Sequence, residues 1–244
     1  LKCMLISISR SEGRKVKSDE NHKVLIREIY RYRPDIQRQL ELRKRVGRVE
    51  KFAPIFNKRL RKGITVDLGC GTGIYTKEIH SRTIVGIDFS LEGLTIAQEY
   101  CHHALFVLGD LEYLPFRENS IDSFFSFCSV YCLLPDSQHK LFKELYLMLR
   151  NNGNILLIEP NALNPLAEKE PKYSLHKSRV EKKLEEVGFK NIEIKFCDFI
   201  PRFVVERGGF TFKVFRVFEK FLEFLQIPVS GTLMIYAEKN SQIK

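Results

Sequence analysis

The sequence predicts an α/β fold built on a doubly wound, largely parallel sheet, and three observations carry that prediction. Short apolar or β-branched runs alternate with helix-compatible stretches from residue 63 to 160, a pattern that parallel strands joined by crossover helices satisfy. The first run, Ile64-Thr65-Val66, passes through Asp67 and Leu68 into Gly69-Cys70-Gly71-Thr72-Gly73, a tight turn leaving a strand end. The chain has 244 residues, 44% of them hydrophobic, enough for one sizeable domain with additions.

Residues 1–23 are polar and basic without a sustained period and read as a flexible basic tail. Residues 24–62 read as a basic helical extension, with helices over 24–32, 35–48 and 52–60. They are punctuated by Pro34 and Pro54, and Leu25, Ile29, Leu40, Val46, Phe52 and Phe56 offer an apolar stripe. Residues 63–244 form the main domain. Its strands are expected at 64–67, 83–87, 104–108, 123–127, 154–159, 191–197 and 231–238.

The intervening helices carry their own punctuation. A helix is expected from Ile74 onward, and Ser90 is a candidate N-cap for the next. Asp136, after Pro135, is a candidate cap for a helix running to Leu149, ahead of a turn at Asn151-Asn152-Gly153. Ser178-Arg179-Val180-Glu181 has capping-box spacing, and Gly188 marks that helix's end. Two segments interrupt the plan: 160–176, with three prolines, and 199–230, rich in phenylalanine with polar residues at helical spacing. The second reads first as a helix packed on the core. Its other readings are a lid over an apolar acceptor, a homodimer face or an interfacial helix at a membrane surface.

Composition narrows the classes. Residues 1–62 carry 19 Lys and Arg against 7 Asp and Glu, a net +12, whereas residues 63–244 carry 21 against 23. The basicity therefore belongs to the N-terminal extension, and an anionic partner (RNA, acidic lipid or an acidic protein) would meet the chain there. No apolar run approaches the ~20 residues a membrane-spanning helix needs. The opening LKCMLISIS is too short for a secretory signal, and Met4 is a candidate start. Six scattered cysteines form no C-x-x-C pair. Cys128 and Cys132 have the spacing of one helix face, but no histidine adjoins them. They read as reduced thiols of a cytoplasmic protein, and no metal site is expected.

The glycine turn carries the functional reading. Glycines there let the chain turn sharply and let a ligand lie against bare backbone, and free N–H groups at a helix start would favour an electron-rich ligand. A dinucleotide fingerprint has G-x-G-x-x-G spacing. Here the third glycine falls one residue early and Ile74 occupies the dinucleotide position, which disfavours an NAD-dependent oxidoreductase. A phosphate-binding Gly-Lys-Ser/Thr is absent.

The Asp-x-Gly-x-Gly-x-Gly pattern resembles the first motif of class I S-adenosylmethionine (SAM) dependent methyltransferases. The runs GDLEYLPFRENSID and LFKELYLMLRNNGNILLIEPN resemble the methyltransferase type 11 group, which includes C-methyltransferases of quinone biosynthesis. The resemblance covers residues 63–160. It implies a Rossmann-like sheet of seven strands whose last strand is antiparallel and inserted between the fifth and sixth. It also implies a cofactor, SAM, and a product, S-adenosylhomocysteine.

By that resemblance Asp67 and the backbone of Gly69, Cys70, Gly71 and Gly73 hold the methionyl end. Asp88 accepts from both ribose hydroxyls, Asp110 from the adenine amine, Phe89 and Leu111 enclose the ring, and the Phe127 carbonyl meets the methionyl amine. Asp67 reads equally as a turn cap. Many relatives carry a His pair after the fourth strand; this chain has Ser129-Val130-Tyr131-Cys132 there. Tyr131, Glu159, Tyr173 and His176 lie near the acceptor side as weak candidates, each reading more readily as structural, so no general base is named. The acceptor expected is a small molecule or lipid-like compound. The alternatives are an RNA methyltransferase docking through the basic helices and a non-catalytic SAM-binding module.

Overall fold

The computed structural model describes residues 47–164, 173–199 and 209–240. The expected tail (1–23) and most of the helical extension (24–46) lie outside the described residues. The elements are α1 (Arg48–Arg59), β1 (Ile64–Leu68), β2 (Thr83–Asp88), α2 (Leu91–Tyr100), β3 (Leu105–Leu108), β4 (Ile121–Phe127), α3 (Pro135–Met148), β5 (Leu149–Pro160), α4 (Lys177–Val187), β6 (Lys190–Cys197), α5 (Gly209–Leu225) and β7 (Thr232–Glu238). Single 3₁₀ turns cover Thr76–Glu78 and Val130–Cys132.

One seven-stranded sheet runs in the order β3-β2-β1-β4-β5-β7-β6. The first five strands are parallel. β7 is antiparallel and lies between β5 and β6, as the resemblance implied. Parallel central strands are covered on both faces, which is why β1, β2, β4 and β5 read as nearly unbroken apolar runs. The larger core joins one face of the sheet to α3 and α4 through Leu141, Phe142, Leu145, Val180 and Leu184. The smaller core lies under α1, where Phe52 and Phe56 are almost fully buried against Tyr75, Phe125 and Ile158. Each such phenylalanine stabilises the fold by ~2–3 kcal/mol.

Several local expectations are revised. The α1 helix starts at Arg48, so Arg48 opens this helix instead of closing the one before it. The helix expected from Ile74 is a single 3₁₀ turn, with Ile79 already extended. The α1 side chain of Asn57 donates to the Glu78 carbonyl at 2.7 Å and accepts from the His80 N–H at 2.7 Å, so tertiary bonds take the groups a longer helix would use. Asp136 lies in the first turn of α3, not at its cap; Pro135 occupies the start instead. Ser178 likewise falls inside α4, whose N-cap is His176 without a side-chain bond.

The Asn151–Gly153 turn is absorbed into β5. Asn152 has φ 62°, and the pairing with β4 jumps from Ile121↔Leu149 to Ser123↔Asn154, the signature of a bulge. Cys128 ends β4 with φ 57°, whereas Cys132 sits in the 3₁₀ turn, so they share no helix face. Among the described residues all five cysteines are free thiols and no metal-competent cluster occurs. No described helix is long and apolar enough to cross a membrane. Ser90 and Gly188 act as expected. The Ser90 hydroxyl accepts from the Gly93 N–H at 3.0 Å, and Gly188 closes α4 at φ 109°.

Over its described side chains, the C-terminal half of α5 turns exposed phenylalanines outward. Glu219 is 4% exposed, whereas Phe218, Phe221 and Phe224 are 51%, 55% and 83% exposed. The inward side is mixed, with Glu219 buried and Phe215, Leu222 and Glu223 half-buried. Lys51 of α1 meets Glu219 at 2.6 Å and Glu223 at 2.5 Å, and the Gln226 side chain accepts from the Phe196 N–H of β6. Burial works against the Lys51 charge, but the two carboxylates outweigh it and raise its pKa. The helix docks through a buried ion-pair network because the partners it needs are supplied by α1 and the end of β6.

Candidate active site

The parallel strands β1–β5 all end on one edge of the sheet, and that edge gathers the predicted residues. Asp67 lies near the end of β1, Asp88 at the end of β2, Gly109-Asp110 just past β3, Phe127 at the end of β4 and Glu159 near the end of β5. Register ties them: Leu68 pairs with Ile87, Asp88 with Leu108, and Phe127 with Ile158. In open α/β sheets this carboxyl-end edge is where ligands bind.

The glycine turn is built by left-handed backbone, with φ 68° at Gly69, 53° at Gly71 and 73° at Gly73. The three differ in their surroundings. A Cβ at Gly69 would stand 2.5 Å from the Ser129 hydroxyl, and one at Gly73 3.1 Å from the Ala97 methyl, whereas one at Gly71 meets nothing within 4 Å. Gly71 is thus the open face of the turn. The Cys70 thiol tucks beneath, against Gly86, and burial pushes its pKa well up, making it a packing group.

Four amides of the turn are already bonded. The Ile87 carbonyl accepts from the N–H groups of Gly69 at 2.8 Å and Cys70 at 3.1 Å, and the Cys70 carbonyl accepts from Gly73 at 2.9 Å. One Asp88 oxygen accepts from the Gly71 N–H at 2.8 Å and the other from the Ser90 N–H at 2.8 Å. This corrects the expectation of free donors. A turn whose N–H groups at these four glycine-loop positions are already bonded suits a neutral or cationic ligand group better than a phosphate, which needs those donors.

Burial raises the Asp88 pKa, while the Ser90 and Gly71 amides act in the opposite sense. A carboxylate has about four lone-pair sites, so two amides leave acceptor capacity for further donors. Asp67 is buried and accepts from the Thr76 hydroxyl at 2.5 Å, tying the strand end to the 3₁₀ turn. One Asp110 oxygen accepts from the Glu112 N–H at 3.0 Å. Phe89 is half-buried beside Asp88, while Leu111 is buried within the larger core. The Phe127 ring stacks on Tyr75 at 4.2 Å and 20°.

The acceptor-side candidates fall into two groups. Glu159 is fully buried, and three of its bonds go to the 3₁₀ turn. It accepts from the Ser129 N–H at 3.3 Å and the Val130 and Tyr131 N–H groups at 3.2 Å each, and from the Ser126 hydroxyl. Burial pushes its pKa up to about 7. Tyr131, Tyr173 and His176 are half-buried. The Tyr173 carbonyl accepts from Gln138, and the Asn161–Leu175 bridge brings 173–176 beside the end of β5. Sequence reasoning missed Ser126 and Ser129, whose small hydroxyls at the end of an apolar strand were the only available signal.

Comparison with known proteins points the same way. A family model described as a methyltransferase domain matches residues 66–157. The match falls on the strands and turns that carry the resemblance to methyltransferases of type 11. SAM is the cofactor of such domains. Among curated proteins, one from Methanocaldococcus jannaschii without an assigned function is 30% identical over 110 residues, 44% of this chain and 41% of that protein. A malonyl-[acyl-carrier protein] O-methyltransferase of Hamiltonella defensa is 27% identical over 112 residues, 45% of this chain and 42% of that one. The matches thus span about two-fifths of those relatives.

Among solved structures, a SAM-dependent methyltransferase from Archaeoglobus fulgidus gives a TM-score of 0.56 at 20% identity, over 89% of this chain and 99% of the other. A chain of the complex between the Haloferax volcanii Trm112 methyltransferase activator and its methyltransferase partner gives 0.62 at 18%, over 85% and 95%. The Haemonchus contortus phosphoethanolamine N-methyltransferase 2, in complex with SAM, gives 0.60 at 19%, over 80% and 53%. At these identities the likeness carries the fold of the methyltransferase domain.

Proposed function

We propose that the protein transfers a methyl group from SAM to a small-molecule or lipid-like acceptor. The single observation that carries this reading is the glycine turn. The N–H groups of Gly69, Cys70, Gly71 and Gly73 are spent internally, the turn is open at Gly71, and Asp88 and Asp110 stand on the neighbouring strand ends. SAM would lie with its methionyl part against Gly69–Gly73 and Asp67, its ribose hydroxyls donating to Asp88 and its adenine at Asp110 beside Phe89. The Phe127 carbonyl would take the methionyl amine. The buried side chain of Leu111 leaves its backbone as the part that faces the ring.

The sulfonium is already activated, so the chain's contribution is to orient the cofactor, exclude water and hold the acceptor in line with the methyl carbon. The half-buried Tyr131, Tyr173 and His176 are the side chains best placed to line the acceptor space. Calorimetric titration with SAM tests the reading. Wild type should bind, and Asp88→Ala, still folded, should lose binding. Unchanged affinity in that variant would defeat the assignment.

One observation favours a second reading, an RNA methyltransferase. Lys62, Lys77, His80, Arg82 and His103 line a cleft of about 520 Å³ without an acidic neighbour in its lining. It sits near the amino ends of β1–β3, the edge opposite the glycine turn, so RNA held there would need to reach round the sheet to the methyl group. An RNA gel shift that weakens with salt and with Lys77→Glu/Arg82→Glu would favour this reading; no shift would remove it.

A further inference from the structure

We propose that Glu159 is a positioning residue that acts through Ser129 to hold the glycine turn in its cofactor-binding shape. The proposal rests on the reading of this edge as the SAM site. Glu159 is 0% exposed, so it cannot touch an acceptor, and its earlier candidacy as a catalytic group gives way to a different role. Its carboxylate collects the Ser126 hydroxyl and the three successive N–H groups of Ser129, Val130 and Tyr131. These are the first donors of the 3₁₀ turn, the end at which a negative charge is favoured.

The second link is Ser129 itself. While its N–H is held by Glu159, its hydroxyl donates to the Gly69 carbonyl at 3.2 Å. The packing is close, because a methyl at Gly69 would stand 2.6 Å from the Ser129 Cβ. One buried carboxylate thus sets the position of the turn after β4, and that turn sets the first glycine of the cofactor turn. Around Glu159, β4 presents Ser126, the antiparallel neighbour β7 presents Leu233 in register, and the 3₁₀ turn presents its amides. The influences on its ionisation are burial and those four hydrogen bonds. Asp88, and Glu219 packed beyond the end of β6, are other carboxylates on this edge with raised pKa values.

The charged form suits this role, since an ionised carboxylate accepts at both oxygens and a neutral one must present a hydrogen at one. Glutamine keeps the size but puts an NH₂ against one of the N–H donors. SAM affinity is measured for wild type, Glu159→Gln, Ser129→Ala and the double variant, at pH 6 and pH 8. The expectation at pH 8 is a loss of about 10-fold for Glu159→Gln and about 3-fold for Ser129→Ala, with the double variant close to Glu159→Gln alone. The wild-type affinity should fall more steeply from pH 8 to pH 6 than that of Glu159→Gln, whose remaining dependence belongs to other carboxylates such as Asp88 and Glu219.

Independent losses that multiply in the double variant, or parallel pH profiles, would overturn the proposal. If Glu159→Gln does not fold, Ser126→Ala and Ser129→Ala replace it in the cycle, and coupled losses support the proposal while multiplied ones overturn it. Absence of SAM binding by folded wild type is a separate outcome that removes the cofactor reading itself.

Discussion

Alanine at Gly71 separates what the glycine turn does for folding from what it does for a ligand. The residue sits at φ 53°, and an added Cβ meets no atom within 4 Å. The folded chain therefore bears only the left-handed strain of an L-residue, about 1–2 kcal/mol, which lowers Tm by roughly 2–8 °C for a protein of this size. Gly69 has the same sign of φ, but its Cβ would lie 2.5 Å from the Ser129 hydroxyl. Gly69→Ala adds a packing clash worth about 1–3 kcal/mol and should be the less stable variant. Ligand affinity should be lost at Gly71 despite its milder effect on stability. A methyl on the open face takes space that the methionyl part of SAM would occupy, and a comparable clash predicts a loss of about 10-fold or more. Differential scanning fluorimetry and calorimetric titration on the two variants give both numbers. A folded Gly71→Ala protein that binds SAM like wild type would refute the claim that this face meets the cofactor.

Three further outcomes follow from the geometry. Lys51→Met leaves Glu219 buried without its cation; the cost is about 3–5 kcal/mol, localised as faster hydrogen exchange in α5. The Glu159 carboxyl holds its proton to about pH 7, against 4.5 for its ordinary value. The folded state therefore binds more protons than the unfolded state between those values. The stability owed to this group is greatest below pH 4.5, falls as pH rises and levels off above 7. Urea titrations should show wild type losing about 2 kcal/mol relative to Glu159→Gln between pH 5.5 and pH 8. Replacing the exposed Phe221 and Phe224 by serine should leave Tm within about 2 °C, since surface changes are usually within ±0.5 kcal/mol. Size-exclusion chromatography with light scattering would show any self-association of the wild-type chain that the variant lacks.

The sheet was legible in the sequence because its signals are local and repeated. Each parallel strand is an apolar run closed by a polar or glycine residue, so Asp67, Asp88 and Asp110 could be placed at strand ends by inspection. Ser90 and Gly188 were legible for the same reason, a cap being a short-range bargain between one residue and its own helix. The failures share a cause as well. The helix expected from Ile74 stops because Asn57, some 20 positions earlier in the chain, takes its polar groups. The Ser178 capping box is overridden by the Asn161–Leu175 bridge, which sets where α4 begins. Periodicity found the α5 helix but not its orientation, because the face it buries is chosen by Lys51, far away in sequence. Glu159 read as a weak catalytic candidate, more readily structural, because a pattern of letters carries no depth; the fold shows that it is sealed under the turn it organises.

The internally bonded loop has a consequence for discrimination among nucleosides. ATP and NAD present the same adenosine as SAM, joined to a pyrophosphate. With the N–H groups of Gly69, Cys70, Gly71 and Gly73 already bonded, those four donors are withheld from that pyrophosphate, which would weigh against such molecules without any gate or bulky side chain. Selectivity against abundant competitors would then reside in bonds the backbone has already made with itself, chiefly the pair received by the Ile87 carbonyl and the one received by Asp88.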